Sequence, residues 1–309
     1  MGALTSSEPG HHRAKKYSRS LVVILVIGVI AASIFAQSGN RPLANASGGV
    51  MVSVIARRDD NRANPIISKE LSIYDNGIEQ AIRNFTHDPS PAHIVLLVDN
   101  SLTIRADVDK LEQAAREFAY EIYEGDKLLI VGYDERAEIV ADWTDDAKAI
   151  EASLKLFRKK GQPFLFDAIR AVVAEALEPF QNQKRIIVVI SDGLDRGSKA
   201  TFEQTLAELQ SQNITVYAVQ AVDRTRGAIR RDVPKPKVVI DKLAEGTGGQ
   251  IFSIDHPSDA AKAICDELRK NRYVLSYVPS SAPYGQARSL LVLGNQGITV
   301  RAKSMQQPQ

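Results

Sequence analysis

Residues 93–103 read His93-Ile94-Val95-Leu96-Leu97-Val98-Asp99-Asn100-Ser101-Leu102-Thr103, and this stretch decides the fold. Positions 94–98 are apolar without a break, the pattern of a strand buried on both faces inside a parallel sheet. The run stops at a carboxylate, and Ser101 and Thr103 follow at intervals of two. In open α/β sheets the working crevice lies beyond the carboxyl ends of the strands. Three oxygen-bearing side chains at that point are therefore candidates for binding. Two further segments share the design. One is Ile186-Ile187-Val188-Val189-Ile190 ending in Ser191-Asp192-Gly193; the other is Leu128-Leu129-Ile130-Val131 ending in Gly132-Tyr133-Asp134.

Working outward, residues 107–123 place Leu111, Ala114, Ala115, Phe118 and Ile122 on one face of an amphipathic helix. Helical patterns recur at 145–157, 165–178, 199–212 and 258–270, with strand patterns at 136–143, 214–221 and 251–254. Strands alternating with helices need crossovers, and so a mainly parallel sheet. The expected fold class is α/β, with a doubly wound, mainly parallel sheet over residues 93–271.

A D-x-S-x-[ST] turn after one buried strand, with S-D-G after a later one, resembles the von Willebrand factor A (VWA) domain. The resemblance implies a metal-ion-dependent adhesion site. Asp99, Ser101, Thr103 and Asp192 would hold Mg²⁺ or Mn²⁺, and a protein partner would complete the shell with an acidic residue. Mg²⁺ prefers about six oxygen ligands and keeps several waters, which suits two carboxylates and two hydroxyls with open positions. A small β unit ahead of the domain, with Tyr74-Asp75-Asn76-Gly77 and then Phe85, extends the resemblance to bacterial VWA-related proteins.

The family carries a further metal-binding threonine in the loop before the helix that begins Leu165-Phe166-Asp167-Ala168 here. Aligning on Asp167 puts Pro163 at that place, and proline offers no side-chain ligand. A scaffold of the same fold with a degenerate, metal-free site is thus the alternative. Asp167, Asp134 and Asp195 are weaker metal candidates. Asp167 could instead favour the positive end of its helix, and Asp134 and Asp195 could hold loops. Each Asp, Ser and Thr named also has a plain reading as a turn or helix cap.

The ends of the chain differ from its middle. Arg13, Lys15, Lys16 and Arg19 precede residues 21–36, sixteen positions without a charge. A basic leader before an apolar run signals export, and a run shorter than the ~20 residues of a comfortable span favours a cleaved signal peptide. An uncleaved inner-membrane anchor at 21–36 is the other reading, and the chain's only expected membrane contact. Both place the rest outside the cytoplasm, periplasmic or extracellular. Residues 37–48 read as a linker. Residues 49–88 and 272–303 are strand-rich, with Asn76-Gly77 as a hairpin turn. Each is too small to hold a core alone, so they are expected to pair as one accessory β-domain, leaving 304–309 as a disordered tail.

Function classes narrow by elimination. A net charge of +2 gives no reason to expect nucleic acid. One cysteine, Cys265, excludes an intrachain disulfide and reads as a core residue. Residues 224–237 carry six basic side chains and read as a solvated loop or a docking surface for an acidic partner. No G-x-S-x-G, Walker loop or Cys/His zinc pattern occurs. Ser101 stands where a haloacid-dehalogenase-type phosphatase would need its second aspartate, so a metal-dependent hydrolase is a remote reading. The sequence points to a non-enzymatic, exported protein-binding or adhesion module.

Overall fold

The stretch that stops at Asp99 forms the strand β5, Ala92–Asp99, at the centre of the molecule. The computed structural model describes residues 49–60, 64–155, 157–222, 234–280 and 285–308. The chain divides into residues 1–41 and 42–309. The leader and the whole linker at 37–48 lie outside the described residues. Among the described residues no helix is long and apolar enough to cross a membrane.

β5 pairs in parallel with β6 (Lys127–Tyr133) on one side and with β8 (Lys184–Ser191) on the other. β9 (Thr215–Gln220) and β10 (Ile251–Ser253) extend the sheet in parallel beyond β8. β7 (Ala137–Thr144) closes the opposite edge antiparallel to β6. The order is β10-β9-β8-β5-β6-β7.

Both faces of β5 are apolar because helices cover both. Ile94, Leu96 and Val98 face one core with α1 (Val108–Glu121), α2 (Ala147–Leu154) and α6 (Pro257–Lys270). Val95 and Leu97 face the other with α3 (Leu165–Ala171), α4 (Phe202–Ser211) and α5 (Pro236–Thr247). The α1 face repeats at Leu111, Ala114, Ala115 and Phe118, the spacing of a helical stripe. It meets Ala261, Ile264, Cys265 and Leu268 of α6 in one core, so Cys265 is a packing residue, 1% exposed. α4 starts at a capping box in which Thr201 Oγ1 accepts from Gln204 N at 3.2 Å and Gln204 Oε1 accepts from Thr201 N at 3.0 Å.

The accessory part is two four-stranded antiparallel sheets built from both ends of the chain. β1 (Val50–Arg58) lies between β11 (Arg272–Tyr277) and β13 (Ile298–Ala302), with β4 (Ile82–His87) beyond β11. β12 (Arg288–Gly294) lies between β2 (Leu71–Asp75) and β14 (Met305–Gln306), with β3 (Ile78–Gln80) at the edge. Val52, Val54, Ile73, Leu275 and Val292 share one core, so the two sheets pack face to face. Asn76 and Gly77 turn β2 into β3 with φ of 50° and 78°, the two positive angles of a type I′ hairpin turn.

Several expectations need correction. Residues 304–308 are not a loose tail: β14 pairs with β12 and Gln306 is 2% exposed; residue 309 lies outside the described residues. A two-residue strand gives almost no pattern to read. The segment 224–237 does not end in a loop, because Pro236 opens α5, where its missing N–H costs nothing; residues 223–233 lie outside the described residues. The helix expected over 165–178 is α-helical only to Ala171, then a π-helical stretch over Val172–Leu177 and a 3-10 turn at Glu178–Phe180.

Lys303, between β13 and β14, is buried against the parallel-sheet domain and donates to Gln210 O at 2.9 Å. Burial, with Arg288 adding to it, lowers its amine from 10.5 to about 7. The unfolded chain holds that proton up to the ordinary lysine range, so stability rises between pH 7 and pH 10. Lys303→Met is expected to raise the melting temperature by a few degrees at pH 6. The gain should vanish by pH 10 in thermal scans against the parent.

Candidate functional site

The i, i+2 columns of three neighbouring strands change character at the same level. Val95 and Leu97 in β5, Leu129 and Val131 in β6, and Ile187 and Val189 in β8 face one core. The next position in each column is polar or carries a hydroxyl: Asp99, Tyr133 and Ser191. Register sets Asp99 beside Tyr133 and Val98 beside Ile190, so the three side chains meet at the sheet's carboxyl edge. All three are fully buried.

Their contacts form a triangle. Ser191 Oγ donates to Asp99 Oδ2 at 3.0 Å, and Tyr133 Oη lies 3.2 Å from the same oxygen and 2.9 Å from Ser191 Oγ. Asp99 Oδ1 accepts from Ser101 N at 2.9 Å. Burial pushes the Asp99 carboxyl up, against the pull of its hydrogen bonds to Ser101, Ser191 and Tyr133. Burial also pushes the Tyr133 hydroxyl up, and the charges of Asp99 and then Asp192 push it further. Both carboxylates therefore bear on one hydroxyl.

After Asp99 the chain turns under the control of its neighbours. Asn100 N donates to Tyr133 O at 3.0 Å, Lys160 N to Asn100 O at 2.8 Å, and Leu102 N to Gly161 O at 3.1 Å. The loop before α3 is thus tied to the loop after β5. Ile104 anchors the far side in the core, while Leu102 at the tip is 64% exposed. Ser101 Oγ and Thr103 Oγ1 stand 3.0 Å apart. From β8, Asp192 is 3% exposed and its Oδ1 accepts from Leu194 N at 3.0 Å.

The weaker candidates are drawn into loop ties. Asp167 accepts from Lys199 N and Ala200 N, both at 2.9 Å. Asp195 Oδ1 accepts from Phe166 N at 3.2 Å and Ser198 Oγ at 2.6 Å, which places it at the N-terminal end of α3. Asp134 Oδ1 accepts from Arg136 N at 3.0 Å. Pro163 is buried and its carbonyl accepts from Arg196 N at 2.8 Å. Tyr133 and Ser191 were not among the sequence candidates. Their signal was the column parity of β6 and β8, which becomes readable only once the register is known.

The chain is thus an α/β protein whose doubly wound sheet gathers hydroxyls and carboxylates at its carboxyl edge. Residues 94–194 match the family model of the von Willebrand factor type A domain, and the chain carries a domain of that family. A von Willebrand factor type A structure from Catenulispora acidiphila superposes with a TM-score of 0.50 at 10% identity, over 86% of this chain and 76% of that one. An aerotolerance-related membrane protein from Bacteroides fragilis aligns at 19% identity over 58% of this chain and 99% of that one, with a TM-score of 0.46. The protein BatB from Bacteroides thetaiotaomicron aligns at 17% identity over 58% and 98%, also at 0.46. At these identities the likeness concerns the fold alone. No curated protein sequence matches the chain.

The residues present can be tested against a divalent cation. An octahedral ion with bonds of about 2.1 Å sets adjacent ligands about 3 Å apart; the Ser101 and Thr103 hydroxyls, hydrogen-bonded to each other at 3.0 Å, already have that spacing, and an ion would replace their mutual bond. Among the described residues no group of three or more His, Cys, Asp or Glu side chains could hold a metal. The fit therefore depends on those two hydroxyls, with Asp99 bonded to Ser101 N and Asp192 just after the neighbouring strand β8.

Proposed function

We propose that the protein is an exported, non-enzymatic VWA-type module that binds a protein partner at the carboxyl edge of its central sheet. Ser101 and Thr103 hold Mg²⁺ or Mn²⁺ there, Asp99 and Asp192 supply the compensating negative charge, and an acidic side chain of the partner completes the shell. The observation that carries this reading is the pair of hydroxyls at ligand spacing above a buried carboxylate. Leu102, exposed at the tip between them, gives the same surface an apolar contact. The basic leader and apolar run at 13–36 support export.

Pro163 favours a second reading, a scaffold that offers the same surface without a metal. Titration of the full chain with Mg²⁺ and Mn²⁺ by calorimetry separates the two. Saturable heat that disappears in Asp99→Ala is the expected result. Absence of heat, with partner binding unchanged in chelator, would leave the scaffold.

A further inference from the structure

We infer that Tyr133 sets the cation affinity of the site, by placing its hydroxyl on the Asp99 oxygen that a cation would otherwise draw upon. The inference rests on the cation reading of Ser101 and Thr103.

A carboxylate offers about four lone-pair positions. Asp99 Oδ1 spends one on Ser101 N, at 2.9 Å. Oδ2 receives the Ser191 proton at 3.0 Å and has the Tyr133 hydroxyl at 3.2 Å. Ser191 Oγ has given its own proton to Asp99 and accepts from Gly193 N at 3.0 Å, and from Tyr133 at 2.9 Å when the phenol turns that way. With the phenol proton on Oδ2 two hydroxyls donate to that oxygen; with it on Ser191 Oγ only Ser191 donates directly, and the phenol strengthens that donor through the chain of hydrogen bonds. Both arrangements supply the compensation that a buried carboxylate needs. A cation arriving at Ser101 and Thr103 then meets a carboxylate whose field is already partly answered.

Tyr133 is the informative member of the triangle. Its ring continues the Leu129 and Val131 column and is held by the core, so phenylalanine keeps the packing and removes only the hydroxyl. Ser191 also holds Gly193 N, so its loss disturbs the Asp192 loop as well. Tyr133 is a positioning residue, acting on the ion through Asp99.

The test is a Mn²⁺ titration of the full chain by calorimetry, comparing the parent, Tyr133→Phe and Tyr133→Phe/Asp99→Ala. Expected is roughly tenfold tighter binding in Tyr133→Phe, with the gain lost in the double variant; the size is that of outer-shell effects on metal affinity, and the sign is opposite to the usual loss because the phenol competes with the ion for Asp99 Oδ2. Structural damage lowers affinity, so a gain cannot come from it. Binding by Tyr133→Phe alone, with none by the parent, supports the inference in its strongest form. Equal or weaker binding by Tyr133→Phe overturns it and leaves the cation reading standing; no heat from either protein overturns both. Should Tyr133→Phe fail to fold, Ser191→Ala removes the other donor to the same oxygen and is expected to shift affinity in the same direction.

Discussion

Asp88→Ala is expected to destabilise the protein by about 3–5 kcal/mol, the cost of removing one member of a buried ion group. Asp88 precedes β5, and its Oδ2 lies 3.3 Å from Arg272 Nε. Its Oδ1 is 4.0 Å from Lys184 Nζ. Lys184 also donates to the carbonyls of Asp88 and Leu268, both at 2.8 Å, and Arg272 reaches Ser53 Oγ at 2.7 Å and Thr215 Oγ1 at 3.3 Å. All three charged side chains are 7% exposed or less. Truncation strips the carboxylate from two buried cations, whereas Asp88→Asn keeps part of the hydrogen bonding and should cost less. Urea denaturation of both variants decides it. A loss below about 1 kcal/mol in Asp88→Ala would mean that the group behaves like a surface pair.

Gly193→Ala is expected to damage both stability and the candidate site. Gly193 has φ of +86°, and an added Cβ would stand 2.5 Å from Pro236 O and 2.6 Å from Ile240 Cγ1. The left-handed backbone alone costs an L-residue about 1–2 kcal/mol, and overpacking adds about 1–3 kcal/mol. A total near 3 kcal/mol follows. To relieve the contact, the loop carrying Asp192 must move off the first turn of α5, and divalent-ion heat should fall with it. Gly297→Ala is the control. Its φ is +83° with nothing within 4 Å of the added atom, so only the backbone cost of about 1–2 kcal/mol remains. Equal losses in the two variants, read from denaturation midpoints, would show that the Pro236 contact is easily relieved.

The parts of the fold that were legible in the sequence are those where burial is two-sided and long. Residues 94–98 and 186–190 have no polar position, and an uninterrupted run of that length has few places to go other than a covered sheet. Asp99, Ser101, Thr103 and Asp192 were legible because they follow those runs directly. Tyr133 was not, because an aromatic residue at the end of an apolar strand looks like more core. Its role depends on which strand lies beside β5 and in what register. The helix α5 was hidden for a different reason: Pro234 and Pro236 signal a break, yet a proline in the first helical turn is favourable. Asp167 and Asp195 show how carboxylates near a site are spent on backbone N–H groups of neighbouring loops, which no spacing along the chain reveals.

The pairing of β1 with β11 and β13 also imposes an order in time. Val50 meets Tyr277, and Val54 meets Ala302, so a chain emerging from its amino end carries β1 unpaired until nearly everything else has been made. Closing so long a loop in an open chain is costly and slow. The VWA domain shortens that search. Once it has folded, the Asp88–Arg272 contact brings the residue after β4 against the first residue of β11, and the accessory sheets can assemble around neighbours already in place. A product ending before residue 272 would leave Val52 and Val54 without β11 and β13, an apolar strand open to proteases.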